Sequence, residues 1–164
     1  MSVRAKIVTM VAIAPVVAVA GLVLGIRTRY PPVVDLVRRL ARDSGNPRVL
    51  KTAGTAGGPA SIIEHTGRTS GRSFRTPVTP TQTEDGFVIA LPYGPGTDWV
   101  KNVLASGSAI LVHEGQTYAL EKPEVIPIAA AADDFGSRER RFLRLFGVQE
   151  CLRLYRAAAG DHAE

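Results

Sequence analysis

Ile62-Ile63-Glu64-His65-Thr66-Gly67-Arg68-Thr69-Ser70-Gly71-Arg72-Ser73-Phe74-Arg75-Thr76-Pro77-Val78 is the stretch on which the fold of this chain turns. It reads as a strand, a glycine-rich basic turn and a second strand. Gly67 and Gly71 bracket Arg68, Thr69 and Ser70. Glycine lets the backbone take positive φ angles and approach a ligand without a Cβ in the way. Hydroxyls, backbone N–H groups and guanidinium forks are all donors, so the turn suits phosphate or carboxylate oxygens. An ordinary solvated hairpin uses the same residue types, and the turn alone leaves both readings open.

Outward from the turn, short strands continue. Residues 60–66 form one predicted strand and 74–83 a longer one, whose Pro77 and Pro80 suit a sheet edge, a bulge or a ligand-facing bend. Glu84-Asp85-Gly86 reads as a hairpin turn into a β-rich run over 87–91. Pro92-Tyr93-Gly94-Pro95-Gly96 is too irregular for a strand. Thr97 or Asp98 then caps a short helix carrying Trp99, Val100, Val103 and Leu104. Residues 108–113 and 116–125 make a second hairpin around Glu114-Gly115. A helix can start within 129–135, and 137–159 reads as one long helix with Phe142, Leu145, Phe146, Leu152 and Tyr155 as its apolar positions. Cys151 falls within that helical pattern and is expected to be buried and structural. His65 is expected at the strand surface, and His113 and Glu114 at a solvent-facing turn. Strands joined by tight turns, with one helix midway and another at the end, predict an α+β chain built on a small antiparallel β-barrel.

Before the turn, residues 7–26 carry no charge, with Arg4 and Lys6 ahead of them and Arg27 and Arg29 behind. Twenty residues at a helical rise cover about 30 Å, the thickness of a bilayer core. A signal peptide would end near Ala18-Val19-Ala20, but the run continues to Ile26, and a core helix apolar all round is unusual in so small a domain. A membrane anchor fits best. The arginines that follow it place the C-terminal domain in the cytoplasm by the positive-inside bias. Pro31-Pro32 break this segment. Val33, Val34, Leu36, Val37 and Leu40 then give an amphipathic helix whose Arg38, Arg39 and Arg42 either lie on anionic lipid or face water. The expected organisation is a hydrophobic membrane segment over 1–30, an amphipathic helix and linker over 31–59, and a barrel over 60–164.

The chain has 164 residues and a net charge of +5, which favours an anionic partner. Its few aromatics do not interleave with the basic residues, which argues against nucleic acid. One cysteine rules out an internal disulfide framework, and the three histidines have no metal-binding spacing. No metal is expected.

Taken together, Thr66-Gly67-Arg68 to Gly71-Arg72, then Arg75-Thr76-Pro77, an apolar strand, a Pro/Gly loop, and Trp99 with Asn102 resemble the deazaflavin-dependent nitroreductase family, over roughly residues 48–126. That resemblance implies a split β-barrel binding coenzyme F420, with FMN as the alternative cofactor. Residue by residue, it implies that Arg68, Thr69 and Ser70 face the cofactor's phosphate and acidic tail. Arg75, Thr76, Pro77 and Val78 would run beside the ring and ribityl chain. Leu91, Pro92 and Tyr93 would lie against the ring, with Tyr93 the candidate catalytic hydroxyl. Trp99 and Asn102 match a Trp-x-x-Asn that packs on and hydrogen-bonds the cofactor, with Lys101 beside them for the tail. Thr69 stands where many relatives carry lysine. The implied activity is hydride transfer from reduced F420 to a hydrophobic acceptor such as a quinone or a nitro compound. Two other classes fit the residues: a non-catalytic carrier of F420, flavin or tetrapyrrole, and a membrane-tethered basic interaction protein. Split barrels of this kind are often dimeric, which allows a homodimer.

Overall fold

The computed structural model describes residues 19–40 and 49–158. Most of the apolar run, together with Arg42, lies outside them. The end of the run, residues 19–26, is helical, and Arg27 continues the helix. Among the described residues no helix is long and apolar enough to cross a membrane. Helix α1 (Pro31–Leu40) follows, with two prolines in its first turn, where a missing N–H costs nothing.

Seven strands make one antiparallel sheet: β1 (Ser61–Thr66), β2 (Ser73–Val78), β3 (Pro80–Gln82), β4 (Gly86–Ala90), β5 (Ser108–His113), β6 (Gln116–Pro127) and β7 (Glu150–Arg156). Their order is β2-β1-β5-β6-β7-β4-β3. The strand predicted over 74–83 is therefore two strands. Thr79 separates β2 from β3, and the two occupy opposite edges of the sheet. A chain can pass from one edge to the other across one residue only if the sheet curls until its edges meet. That closure, with no ladder between β2 and β3, makes the split barrel. Pro77 of β2 and Pro80 of β3 sit at edges, where a missing backbone donor breaks no central ladder, and Pro123 of the central strand β6 falls in a register shift between Glu121 and Glu124.

The second correction concerns the C-terminus. Helix α3 (Ser137–Phe146) stops at Gly147, whose φ of 63° and N–H bonds to Leu143 and Arg144 carbonyls close it with a left-handed cap. Residues 150–156 are not helix but β7, inserted between β6 and β4. β7 is apolar toward both sides, so Cys151, Leu152 and Leu154 show no clean alternation and mimic a helical stripe. Leu152 and Leu154 join Phe87, Ile89 and Leu120 in the barrel core. Cys151 and Val88 face the other way, against Phe135 and Leu143 beneath α3. The predicted helix within 129–135 is a 3-10 turn, Ile128–Ala131. Phe87 has no exposed surface, and its truncation to alanine would cost about 3–5 kcal/mol. Helix α2 (Asp98–Ser106) covers one end of the barrel with Val100 and Val103 buried.

Candidate functional site

β1 presents alternate residues to one face, so His65 follows Ser61 and Ile63 inward toward α2. Contrary to its expected surface position, His65 is only 7% exposed. Its Nε2 lies 3.1 Å from Thr76 Oγ1 on β2, and Asn102 Nδ2 donates to its Nδ1 at 3.2 Å. The amide donor fixes the tautomer: Nδ1 accepts, so Nε2 carries the proton and donates to Thr76. Phe74 stacks on the imidazole, with centroids 5.8 Å apart. Burial pushes the His65 pKa below its usual value, which keeps the ring neutral.

Asn102 is 6% exposed and ties the helix to the turn. Its Oδ1 accepts from the Arg68 backbone N–H at 3.2 Å and from Arg68 Nη1 at 2.8 Å. Arg68 Nη2 completes the chain with a 3.0 Å ion pair to Asp98. The Arg68 fork is thus already engaged by α2, and it shapes the turn as much as it offers charge. The turn is closed by Gly67 N–H to Arg72 O and Gly71 N–H to Gly67 O, each 2.8 Å. Gly71 needs its glycine for a φ of 64°, and a Cβ on Gly67 would meet the Phe74 ring at 2.7 Å. Arg75 pairs across the ladder with Glu64 at 3.1 Å.

These groups line a groove of about 920 Å³. Of the predicted residues it gathers Arg68, Thr69, Ser70, Arg75, Thr76, Pro77, Tyr93, Trp99 and Asn102. An apolar pocket of about 350 Å³ adjoins it and takes Val78, Leu91 and Pro92. Pro77, Tyr93, Thr97 and Trp99 border both cavities. Lys101 is exposed and borders neither. Tyr93 is half-buried at the junction, and desolvation raises its pKa, so the phenol keeps its proton at neutral pH.

Several groove residues escaped the sequence reading, among them Asp35, Arg38, Arg39, Phe74, Thr97 and Asp98. Arg38 and Arg39 of α1 form part of the groove wall. Arg38 Nη2 donates to the Tyr93 carbonyl at 2.7 Å and so fixes the loop that carries this tyrosine. The only signal of Arg38 and Arg39 in the sequence was an amphipathic stripe, which does not say what its polar side faces. Buried Arg38 Nε and Thr97 Oγ1 have no hydrogen-bond partner among the described residues. Such atoms weigh against a purely structural wall, because unmade buried hydrogen bonds are costly. Outside the groove, His113 is half-buried rather than solvent-facing and shares a 2.7 Å hydrogen bond with Ser61 Oγ. Among the described residues no cluster of ligating side chains could hold a metal ion.

The donor set suits a long anionic ligand with a flat apolar end. Arginines enter the groove from α1, the turn and β2, hydroxyls from Thr69, Ser70 and Thr76, and an indole and a phenol stand where the groove opens into the pocket. No family model matches the chain, and no curated protein matches it. Among solved structures the chain is similar to one described as an F420-H2 dependent reductase (FDR-A). The two share 12% identity over 57% of this chain and 92% of that one, with a TM-score of 0.36. It is also similar to a structure described as a domain-swapped dimer, at 14% identity over 74% of this chain and 97% of that one, with a TM-score of 0.40. At this distance the chemistry of the site is defined by its own residues.

Proposed function

We propose that the chain is an oxidoreductase that binds reduced coenzyme F420 in the basic groove and serves a hydrophobic acceptor, a quinone or nitro compound, in the apolar pocket. One observation carries this reading: a polar, arginine-rich groove and an apolar pocket meet across Pro77, Tyr93, Thr97 and Trp99. Arg38, Arg39, Arg75 and the turn at 67–72 would hold the phosphate and acidic tail. Thr76, Pro77, Trp99 and Asn102 would hold the body of the cofactor. The deazaflavin, when bound, supplies the hydride from its own ring, which leaves the protein to position the partners and exclude water. Tyr93 borders both cavities, and its phenol can donate to an acceptor oxygen. Residues 7–26, as a membrane anchor, would hold the barrel within reach of lipid-soluble acceptors.

The test is a titration of the full-length protein with oxidised F420, read by fluorescence quenching, with FMN in parallel, followed by menadione-dependent oxidation of reduced F420. Saturable F420 quenching and menadione-dependent oxidation are expected. Absence of binding by either cofactor would sink the proposal, and binding without turnover would make the chain a carrier instead.

A further inference from the structure

Helix α3 buries one side and leaves the other uncovered. Leu143 packs beneath it, Glu139 accepts from Thr81 Oγ1 at 3.2 Å, and Arg140 donates to the Ala132 carbonyl at 3.2 Å. On the outward side Arg138, Arg141, Phe142 and Leu145 recur at spacings of three and four and form one stripe. Phe142 is 53% exposed and Leu145 56%. Two neighbouring carboxylates are already paired, Asp134 with Arg153 and Glu150 with Arg29, while Asp133 stands exposed 3.9 Å from Arg140. What faces outward is therefore an apolar centre flanked by cations, the make-up of a helix lying in the plane of an anionic bilayer surface.

A second observation points to the same occupant. Arg27 Nη1 donates to the carbonyls of Arg144 at 2.8 Å and Leu145 at 3.2 Å. Arg27 closes the helix that runs through residues 19–26, the tail of the uncharged run, on which Val19, Leu22 and Leu24 are exposed. The end of that run is thus fastened to the last turn of α3, and whatever surface receives it lies beside the Phe142 stripe. We propose that the outward face of α3 docks on an anionic lipid bilayer, with Phe142 and Leu145 in the interface and Arg138 and Arg141 on the headgroups. A second copy of the chain would oppose arginine to arginine across such a face. The proposal is independent of what the groove binds.

The full-length protein carrying Phe142→Cys, labelled with a polarity-sensitive dye, reads the contact directly. Cys151 is buried, with its thiol pushed up to about 11, and stays unlabelled. With phosphatidylcholine–phosphatidylglycerol vesicles the emission is expected to shift to the blue and to be quenched by spin-labelled lipid. A dye at Ala105→Cys on α2 is expected to do neither. Adding Arg138→Glu and Arg141→Glu lowers the fraction of dye in the interface about tenfold or more, because each basic residue near an anionic surface contributes substantially. A dye at 142 that stays in water while the protein sediments with vesicles overturns the proposal. So does absence of vesicle binding, an unchanged signal in the charge-reversed variant, or a blue shift without vesicles that grows with protein concentration, the signature of a second copy.

Discussion

The groove and the pocket share four residues, yet their outer walls are made differently. The groove wall is a hydrogen-bonded chain, Thr76–His65–Asn102–Arg68–Asp98, that joins two strands, a turn and a helix. The pocket wall is mostly aliphatic, with Val49, Pro59, Ala60, Val78, Ile89 and Leu91 around the seam at Thr79. A hydrogen-bonded wall fails when one member is lost, because its partners remain buried and unpaired. An apolar wall is changed by volume instead. The two cavities should therefore respond to different substitutions, and four experiments probe that separation.

Asn102→Leu is the most severe. It leaves His65 Nδ1 and two Arg68 donors without their partner, and should cost about 2–3 kcal/mol of stability, seen as a fall in Tm of roughly 4–12 °C. F420 affinity should drop about a hundredfold, the equivalent of about 2.7 kcal/mol in a group that loses several hydrogen bonds. Menadione binding, measured by calorimetry, should change little, and an equal loss of both ligands would show that the cavities act as one. Next comes Ala60→Phe, which fills the pocket and should lower kcat/KM for menadione roughly thirtyfold, about 2 kcal/mol of overpacking, with the F420 Kd unmoved. Arg38→Ala with Arg39→Ala should weaken F420 binding about tenfold at low ionic strength and less in high salt, where exposed charges are screened. A salt-independent loss would mean that these arginines act by packing.

The smallest effect is expected from pH. The folded His65 pKa is depressed by burial, so below the unfolded value of about 6.5 the unfolded chain takes a proton that the folded chain resists. The contribution of His65 is therefore intact above that value and is lost as pH falls toward the depressed folded pKa. Protonation would also turn Nδ1 from acceptor into donor against the Asn102 amide. F420 affinity should weaken by a few-fold on acidification, about 0.5–1 kcal/mol for one altered hydrogen bond. His65→Gln should flatten that part of the profile, and an unchanged profile would remove His65 from the groove's chemistry.

Much of the fold was legible because turn chemistry and strand periodicity agree through the middle of the chain. Gly115, Gly107 and Gly86 all fall where the hairpins and the α2 exit need them. Legibility failed at β7, where burial on two faces erased the alternation that identifies a strand, and at Thr79, where a one-residue break reads as continuous extended chain. At the site, Arg68, Thr69, Ser70, Arg75, Thr76, Pro77, Trp99 and Asn102, grouped by the sequence, line one groove, and Val78 lines the adjoining pocket. Two facts were out of reach. One is that Arg68 spends its fork on Asn102 and Asp98, a contact between segments 30 residues or more apart. The other is that α1 folds back far enough for Arg38 to hold the Tyr93 carbonyl.

The position of β7 has a consequence for how the molecule is made. Among the described residues it is the last strand, yet it stands between β6 and β4, and without it the sheet falls into two parts, β2-β1-β5-β6 and β4-β3. During synthesis from the N-terminus, Phe87 and Leu120 have no Leu154 between their strands until β7 emerges. The nascent chain therefore keeps open apolar edges late, the circumstance in which a chaperone has most to hold. A ribosome stalled a few codons before Glu150 would display an unfinished barrel, and one stalled beyond a tethered Arg156 a closed one.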